Sequence, residues 1–279
     1  MPTLPPPDPR SGIATSHELR TIAEGFGAEA ERYDRARPRY PAALAAAVLA
    51  ELPGTRLLDV GIGTGISALP FREAGAEVLG VDPDERMAEL ARARGFDVEI
   101  STIEDWDPRG RRFDGVVAGQ AWHWVDPVAG AVRAREALAP DGRLAVFWNA
   151  ADPPPELAAA FAEVFRGVDT GLPFTPWQGS QRDGAAAFLD KAAAGVREAG
   201  GFGEPHRLRF DREETTDRDA FLDVLPTAGG HDRIAPEKLA RLLDGLGAAI
   251  DAVGGSFTMR CATVALVCPV SRRPSSARR

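Results

Sequence analysis

The chain has 279 residues, of which 44% are hydrophobic, and a formal net charge of −8. This length fits one large α/β domain, and the acidic charge argues against a nucleic-acid backbone as partner. No run of 18 apolar residues is present, so the sequence predicts neither a membrane span nor a membrane partner. Cys261 and Cys268 lie too far apart on one expected strand to form a disulfide, which is typical of a cytoplasmic protein. With only four histidines, dispersed along the chain, no metal-ligand spacing is found.

The two ends of the chain differ in composition from its middle. Residues 1–15 are rich in proline and lack the apolar segment of a signal peptide, so we expect a disordered tail. Residues 271–279 carry four arginines together with serine and proline, and predict a second, basic tail. One domain is therefore expected over residues 16–270.

The hydrophobic pattern predicts helices first and then strands that alternate with helices. Such alternation is typical of a doubly wound α/β fold with a mostly parallel sheet covered on both faces. The helices expected before the sheet are Ser16–Glu24, Ala28–Tyr33 and Pro41–Glu51. The alternating part predicts strands Arg56–Val60, Glu77–Val81, Phe96–Ile100, Phe113–Ala118 and Leu144–Asn149, helices Thr64–Ala74, Asp84–Arg94 and Pro127–Leu138, and a turn at Pro140–Gly142.

The alternation stops after the fifth strand. Residues 151–184 contain a Pro-rich break, a helix over Glu156–Gly167 and a long loop, Leu172–Asp183. Long loops inside a compact domain are often functional lids, so we expect this insertion to cover a ligand site. The remaining elements predicted are helices Ala185–Ala199, Arg218–Leu225 and Pro236–Ala252 and strands Arg207–Arg212 and Phe257–Val267.

A glycine-rich turn follows the first strand and is the most informative stretch of the chain. Gly61, Gly63 and Gly65 would let the backbone approach a ligand closely. Asp82 ends the next strand, at the place where a carboxylate accepts the two hydroxyls of a ribose. The pattern therefore predicts a cofactor that contains a nucleoside.

The spacing of the glycines indicates which cofactor. A dinucleotide site has Gly-x-Gly-x-x-Gly/Ala, but the third small position is Ile66 here. The run Leu58-Asp59-Val60-Gly61-Ile62-Gly63-Thr64-Gly65 instead resembles motif I of the class I S-adenosylmethionine (SAM) methyltransferases. The resemblance implies SAM as cofactor and Asp59 as part of its site. It also implies a seven-stranded sheet with an antiparallel closing strand, an N-terminal helical cover and an insertion after strand five.

The residues after the second and third strands are further candidates for the cofactor site. Pro83 follows Asp82, and Thr102, Ile103 and Glu104 follow the third strand, where residues of the family embrace the adenine. The family often has an acidic side chain where this chain has Thr102, which leaves the backbone N–H of Ile103 for the contact. Glu104 is either such a contact or the solvated start of a helix.

Two further segments resemble small-molecule methyltransferases of the ubiquinone-biosynthesis and trans-aconitate group. Gly119–Asp126 resembles that group's Gln-Ala-Phe-His-Trp-Phe-Asp segment, and Tyr33–Pro41 resembles its Tyr-Asp-x-x-Arg-Pro-x-Tyr-Pro segment, which covers the cofactor. The resemblance implies that Tyr33 and Gln120 lie at the cofactor and that Arg37 binds the carboxylate of SAM. A surface salt bridge is the alternative for Arg37.

The tryptophans fall at expected strand ends or in the insertion. Aromatic side chains can bury an apolar acceptor or face a sulfonium, so acceptor contacts are expected. The alternative is that two or three of the tryptophans merely pack against lid helices, and this is expected of at least Trp106. His123 is the candidate general base for a hydroxyl or amine acceptor, with a hydrogen-bonded structural residue as the alternative. The expected acceptor contacts are Trp122, Trp124, Trp148 and Trp177.

The sequence thus predicts a SAM-dependent methyltransferase that acts on an oxygen, nitrogen or carbon atom of a small organic acceptor. Adenine and cytosine N-methyltransferases carry Asn/Asp-Pro-Pro-aromatic after strand four, and this chain has Gly119-Gln120-Ala121-Trp122 there. A nicotinamide-dependent oxidoreductase is a rival, disfavoured by Ile66 and by the lack of a Tyr-x-x-x-Lys pair. A non-catalytic SAM-binding protein is the second rival interpretation.

Overall fold

A computed structural model describes Gly27 and residues 30–172, 175–177 and 179–271. The expectations for residues 1–15, for the helix Ser16–Glu24 and for residues 272–279 lie outside these residues. Three residues of the expected lid loop also lie outside them, namely Pro173, Phe174 and Gln178.

One seven-stranded sheet organises the described residues, in the spatial order β3-β2-β1-β4-β5-β7-β6. Strands β1 to β5 pair in parallel, and β7 is antiparallel to both of its neighbours, β5 and β6. The expected mostly parallel sheet with an antiparallel closing strand is therefore confirmed. The strands are β1 (Arg56–Val60), β2 (Glu77–Asp82), β3 (Asp97–Ile100), β4 (Phe113–Gly119), β5 (Leu138–Asp152), β6 (His206–Asp217) and β7 (Ser256–Pro269).

Helices cover both faces of this sheet. Buried side chains of α2 and α3 pack on one face, and those of α5 and α7 pack on the other. A further apolar cluster joins α6, α8 and α9 to the first residues of β7. The helices are α1 (Ala30–Ala36), α2 (Ala42–Leu49), α3 (Leu69–Glu73), α4 (Glu85–Ala93), α5 (Pro127–Ala137), α6 (Pro155–Arg166), α7 (Gln181–Ala199), α8 (Arg218–Val224) and α9 (Pro236–Asp251).

Short side chains fix where two of the helices begin. The carboxylate of Asp84 accepts the backbone N–H of Arg86 at 3.0 Å and caps α4, as its position in the sequence predicts. The carboxylate of Asp126 accepts the N–H of Val128 at 3.0 Å and that of Ala129 at 2.8 Å, and caps α5. Both caps lie just beyond the carboxyl ends of strands, so they position the loops that border the site.

Several boundaries differ from the prediction, among them the start of α7 at Gln181, inside the expected loop Leu172–Asp183. Helix α3 begins at Leu69 rather than Thr64, because Gly65 has φ +89° and a helix cannot include that conformation. Asp141, at φ +61°, lies in a bulge within β5, where a turn before the strand was expected. Strand β6 continues past Arg212 to Asp217, paired along its length with β7.

Among the residues that the structure describes, no helix combines the length and apolar composition needed to cross a bilayer.

Candidate functional site

The glycine turn after β1 lies at the carboxyl edge of the sheet. Gly61 has φ +67°, and a Cβ atom there would lie 2.5 Å from the Cβ of Ala121, so this position requires glycine. Gly65 has φ +89° and packs on the ring of Phe96, away from the cleft. Gly61 and Gly63 therefore present backbone to a ligand, whereas Gly65 shapes the turn.

Two buried carboxyl groups flank this turn. Asp59 is fully buried and accepts a hydrogen bond from the Ser67 hydroxyl at 2.7 Å, and burial raises its pKa to about 7. Asp82 accepts the backbone N–H groups of Gly63 at 2.8 Å and Asp84 at 2.9 Å. Burial raises the pKa of Asp82 to about 6. Asp59 thus supports the turn from beneath, while Asp82 both braces it and faces the cleft.

The cleft at this edge has two lobes. We call the first the β2 lobe; it is an open space of about 800 Å³ between the ends of β1, β2 and β4. The β2 lobe is lined by most of the residues that the sequence predicts for the cofactor, together with one tryptophan. They are Tyr33, Gly61, Gly63, Asp82, Pro83, Thr102, Ile103, Glu104, Gln120 and Trp124.

The second lobe, which we call the β6 lobe, measures about 900 Å³ and lies toward β5, β7 and β6. Arg37 lines it, together with residues that were not predicted for any site. These are Tyr40 and Asn149, the β6 side chains Arg212, Glu214 and Thr216, and the apolar Phe221, Met259 and Cys261. The expected strand ended at Arg212. A prediction that continued it to Asp217 would have placed Arg212, Glu214 and Thr216 on one face of the strand.

Helix α1 and the residues that follow it form a cover over both lobes, residues 30–40. Asp34 accepts the Thr64 hydroxyl at 2.6 Å and forms an ion pair with Arg94, which joins the cover to the glycine turn. On the other side, Arg32 and Arg35 both pair with Asp223 of α8, at 2.9 and 3.0 Å. The cover is therefore held at both of its edges.

Arg37 is buried in this cover, with only 9% of its surface exposed. Its guanidinium donates a hydrogen bond to the carbonyl of Thr227 and lies 4.7 Å from the centre of the Tyr33 ring. Its Nε has no hydrogen-bond partner among the described residues. The alternative of a surface salt bridge is therefore wrong, and a buried cation borders the β6 lobe.

The structure corrects the placement expected for His123 and two tryptophans. His123 is buried, and its Nδ1 accepts a hydrogen bond from the Trp148 indole at 3.1 Å. Burial lowers the pKa of His123 to about 3, so the ring is neutral. With Trp122 and Phe188, it borders a small separate pocket beside α7. His123, Trp122 and Trp148 line neither lobe. The turn after β4 directs Trp122 and His123 inward, and Trp148 packs in the core from β5.

The other tryptophans do not form the expected common wall for the acceptor either. Trp177 packs between Phe161 and Phe165 at ring distances of 5.2 and 5.6 Å, inside the cluster of α6, α8 and α9. Trp106 donates to Glu99 at 2.5 Å and packs in the core, with its ring 6.0 Å from that of Phe113. Trp124 alone of the four expected acceptor contacts lines a lobe, and it is the β2 lobe.

Within the described part of the chain, no group of three or more histidine, cysteine, aspartate or glutamate side chains could hold a metal ion.

Comparison with known proteins places this fold and cleft in a family. Residues 33–171 match the model of a methyltransferase domain. The chain is 35% identical over 135 residues to an uncharacterized methyltransferase of Mycobacterium tuberculosis, covering 48% of this chain and 55% of the relative. It is 38% identical over 102 residues to a ubiquinone biosynthesis O-methyltransferase of Bradyrhizobium, covering 34% and 40%. The chain spans about half the length of the curated relatives it matches.

A solved structure extends the likeness of fold. A protein of Anaeromyxobacter dehalogenans named as a type II methyltransferase superposes with a TM-score of 0.58 at 23% identity, covering 84% of this chain and 97% of that one. The matched domain contains the glycine turn, Asp82 and the β2 lobe. The chain therefore belongs to the class I SAM-dependent methyltransferases.

Proposed function

We propose that this protein transfers the methyl group of SAM to a small organic acceptor, at an oxygen, nitrogen or carbon atom. The observation that carries the proposal is the meeting of the two lobes, since Tyr33, Gly61, Gly63, Gly119 and Gln120 line both of them. A cofactor that fills the β2 lobe and extends its amino-acid end through the junction to Arg37 would therefore meet there an acceptor held in the β6 lobe.

The charge of the β2 lobe supports SAM over a dinucleotide. Asp82, Asp84 and Glu104 line the lobe, and none of its lining residues is a lysine, arginine or histidine. SAM brings a sulfonium and an ammonium group, which carboxylates attract, whereas a dinucleotide brings an anionic pyrophosphate, which they repel. The nicotinamide-dependent alternative is disfavoured for this reason.

Individual residues fit individual parts of the cofactor. In the proposal, Asp82 accepts the ribose hydroxyls and the backbone N–H of Ile103 meets the adenine. Arg37 is a buried cation whose Nε lacks a partner among the described residues, so a ligand carboxylate would satisfy it. The cover brings Tyr33 to the junction, where its ring can face a cationic centre.

The bound cofactor would supply a methyl group on a positively charged sulfur, which is a strong electrophile. The residues of the chain then have two tasks, to align the acceptor at the junction and to exclude water from it. The cover and the walls of the lobes perform both. His123 has no part in this proposal, because its lowered pKa makes it a weak base and its ring is turned into the core, where Nδ1 already accepts a hydrogen bond.

We extend the proposal to the whole domain. Residues 16–270 would form one catalytic unit, and the insertion at 151–184 would shape the acceptor pocket through α6. Phe161 of α6 stacks on Phe221 at 4.9 Å, and Phe221 lines the β6 lobe. A cytoplasmic location is proposed because Cys261 and Cys268 are both buried free thiols.

The proposal is tested by incubating the protein with isotopically labelled SAM and a metabolite extract. Mass spectrometry should then find a small product that is heavier by one labelled methyl group in place of a hydrogen. A protein that binds S-adenosylhomocysteine (SAH) tightly but forms no labelled product from any extract would instead be the non-catalytic SAM-binding protein.

Cofactor binding is expected to weaken in acid. Since burial raises the pKa of Asp82 to about 6, its carboxyl group is ionised above that pH and protonated below it. A protonated carboxyl cannot accept both ribose hydroxyls, so SAH affinity should be constant at higher pH and fall about tenfold per pH unit below the pKa. Calorimetry across this range measures the effect. The Asp82→Asn variant should lose the dependence, whereas Asp59→Asn should keep it, and the reverse pattern would refute the assignment.

Ligand binding is also expected to order the cover. Because Tyr33–Tyr40 contributes to both lobes, SAH should slow amide hydrogen exchange there more than in α9, which lines neither lobe. Exchange followed by mass spectrometry, with and without SAH, tests this. Equal protection in the two segments, or protection of α9 alone, would show that the cover does not close on the cofactor.

A further inference from the structure

The two lobes carry opposite charge. Three carboxylates and no cation line the β2 lobe, whereas the β6 lobe has two guanidinium groups, Arg37 and Arg212, and a single carboxylate, Glu214. The proposed function assigns Arg37 to the carboxylate of SAM. Arg212 is then a second cation in a lobe meant for the acceptor, within a protein whose net charge is −8.

The guanidinium of Arg212 is held in place by a polar network across three strands. Its Nη1 donates to the hydroxyl of Thr263 on β7 at 3.0 Å, and that hydroxyl donates to the side-chain oxygen of Asn149 on β5 at 2.5 Å. Thr263 is fully buried, and Asn149 also lines the lobe. Arg212 is therefore positioned before any ligand arrives, which lowers the entropic cost of binding one.

Glu214 leaves Arg212 able to bind a second anion. Its carboxylate accepts from the Nε of Arg212 at 2.5 Å, but the Glu214 side chain is 46% exposed, and ion pairs exposed to this extent contribute little. The Nη2 of Arg212 has no hydrogen-bond partner among the residues that the structure describes. A planar anion from a ligand could use this donor and compete with Glu214.

We propose that Arg212 binds a carboxylate of the methyl acceptor and so determines which acceptors this protein takes. The inference rests on the proposed function, since it concerns the acceptor in the β6 lobe. The acceptor would be a small organic acid whose apolar body packs on Phe221, Met259 and Cys261, which line the same lobe.

The carboxylate anchors the acceptor and is not the group that is methylated. Arg212 lines the β6 lobe alone, whereas the junction is formed by residues that line both lobes. The junction of the lobes includes Gly119 and Gln120, at the end of β4. An anion at Arg212 is therefore held away from the junction, and a different atom of the acceptor reaches the methyl group.

The test uses matched pairs of an acid and its amide, measured by calorimetry on the full chain saturated with SAH. The pairs are phenylacetate with phenylacetamide, 4-hydroxycinnamate with its amide, and octanoate with octanamide, which differ in body length. At least one acid should bind at least tenfold more tightly than its amide. Arg212→Gln should abolish this preference without changing SAH affinity, and Glu214→Gln should increase it.

Arg209→Gln is the matched control. Arg209 lies on the same strand and pairs with Asp211 at 2.8 Å, also two residues away, but it lines neither lobe. The acid preference should survive this change. If SAH binds and no acid exceeds its amide, or if Arg209→Gln removes the preference as fully as Arg212→Gln, the inference is overturned. If SAH does not bind the unaltered protein, the proposed function itself fails.

Discussion

Replacing Asp82 with alanine is expected to lower the affinity for SAH at least tenfold. The substitution removes the charged acceptor of the ribose hydroxyls, and hydrogen bonds to a charged group contribute about 1.5–3 kcal/mol each. It also removes the acceptor of the Gly63 and Asp84 N–H groups, so the glycine turn loses its brace. Calorimetric titration with SAH measures the loss.

The matched control for this change is 5′-methylthioadenosine, which shares the nucleoside of SAH but lacks its amino-acid part. Because Asp82 is assigned to the ribose, Asp82→Ala should weaken both ligands by a similar factor. Unaltered affinity for both would mean that the carboxylate is only a brace of the turn. Thermal unfolding of the variant separates loss of the site from loss of the fold.

Replacing Arg37 with glutamine is expected to lower SAH affinity by a factor of about 10 to 100, since it removes a charge-assisted contact to the ligand carboxylate. The affinity for 5′-methylthioadenosine should stay nearly unchanged, because that ligand has no carboxylate. Calorimetry with the two ligands therefore separates the amino-acid half of the site from the nucleoside half.

Arg39→Gln is the control variant for Arg37. Arg39 belongs to the same cover, but its side chain is 49% exposed and lines neither lobe, so SAH affinity should be retained. Equal losses for SAH and 5′-methylthioadenosine in Arg37→Gln would indicate a general collapse of the cover. In that case the assignment of Arg37 to the carboxylate would be wrong.

The part of the site that depends on local sequence was predictable. The glycine turn requires φ values that only glycine adopts easily, so Gly61 and Gly63 mark it directly. Asp82 ends the neighbouring strand, and parallel strands bring their carboxyl ends to one edge. These two facts predict most of the β2 lobe without any knowledge of distant contacts.

The direction of a side chain after a strand was not predictable in the same way. Three adjacent residues follow β4, namely Trp122, His123 and Trp124. They form a single 3-10 turn, in which their side chains point in different directions. Trp122 and His123 turn into the core beside α7, whereas Trp124 faces the β2 lobe. Position at a strand end indicates closeness to a site, not contact with it.

The β6 lobe could not be read from the sequence because it depends on long-range register. Arg212 pairs with Cys261 of β7, which pairs with Ala151 of β5, and all three line the lobe. Arg212 and Cys261 are 49 positions apart in the chain, and Cys261 and Ala151 are 110 positions apart. No short motif records such a pairing, and the one tryptophan of the insertion, Trp177, packs in a helical cluster instead.

The central claim is that the β2 lobe binds SAM, and calorimetry with SAH, NADH and NADPH on the same protein preparation tests it most directly. The carboxylates of this lobe and the glycine spacing that places Ile66 at the third small position predict that SAH binds and that neither nicotinamide cofactor gives heat of binding. Tight binding of NADH or NADPH with no binding of SAH would contradict the account.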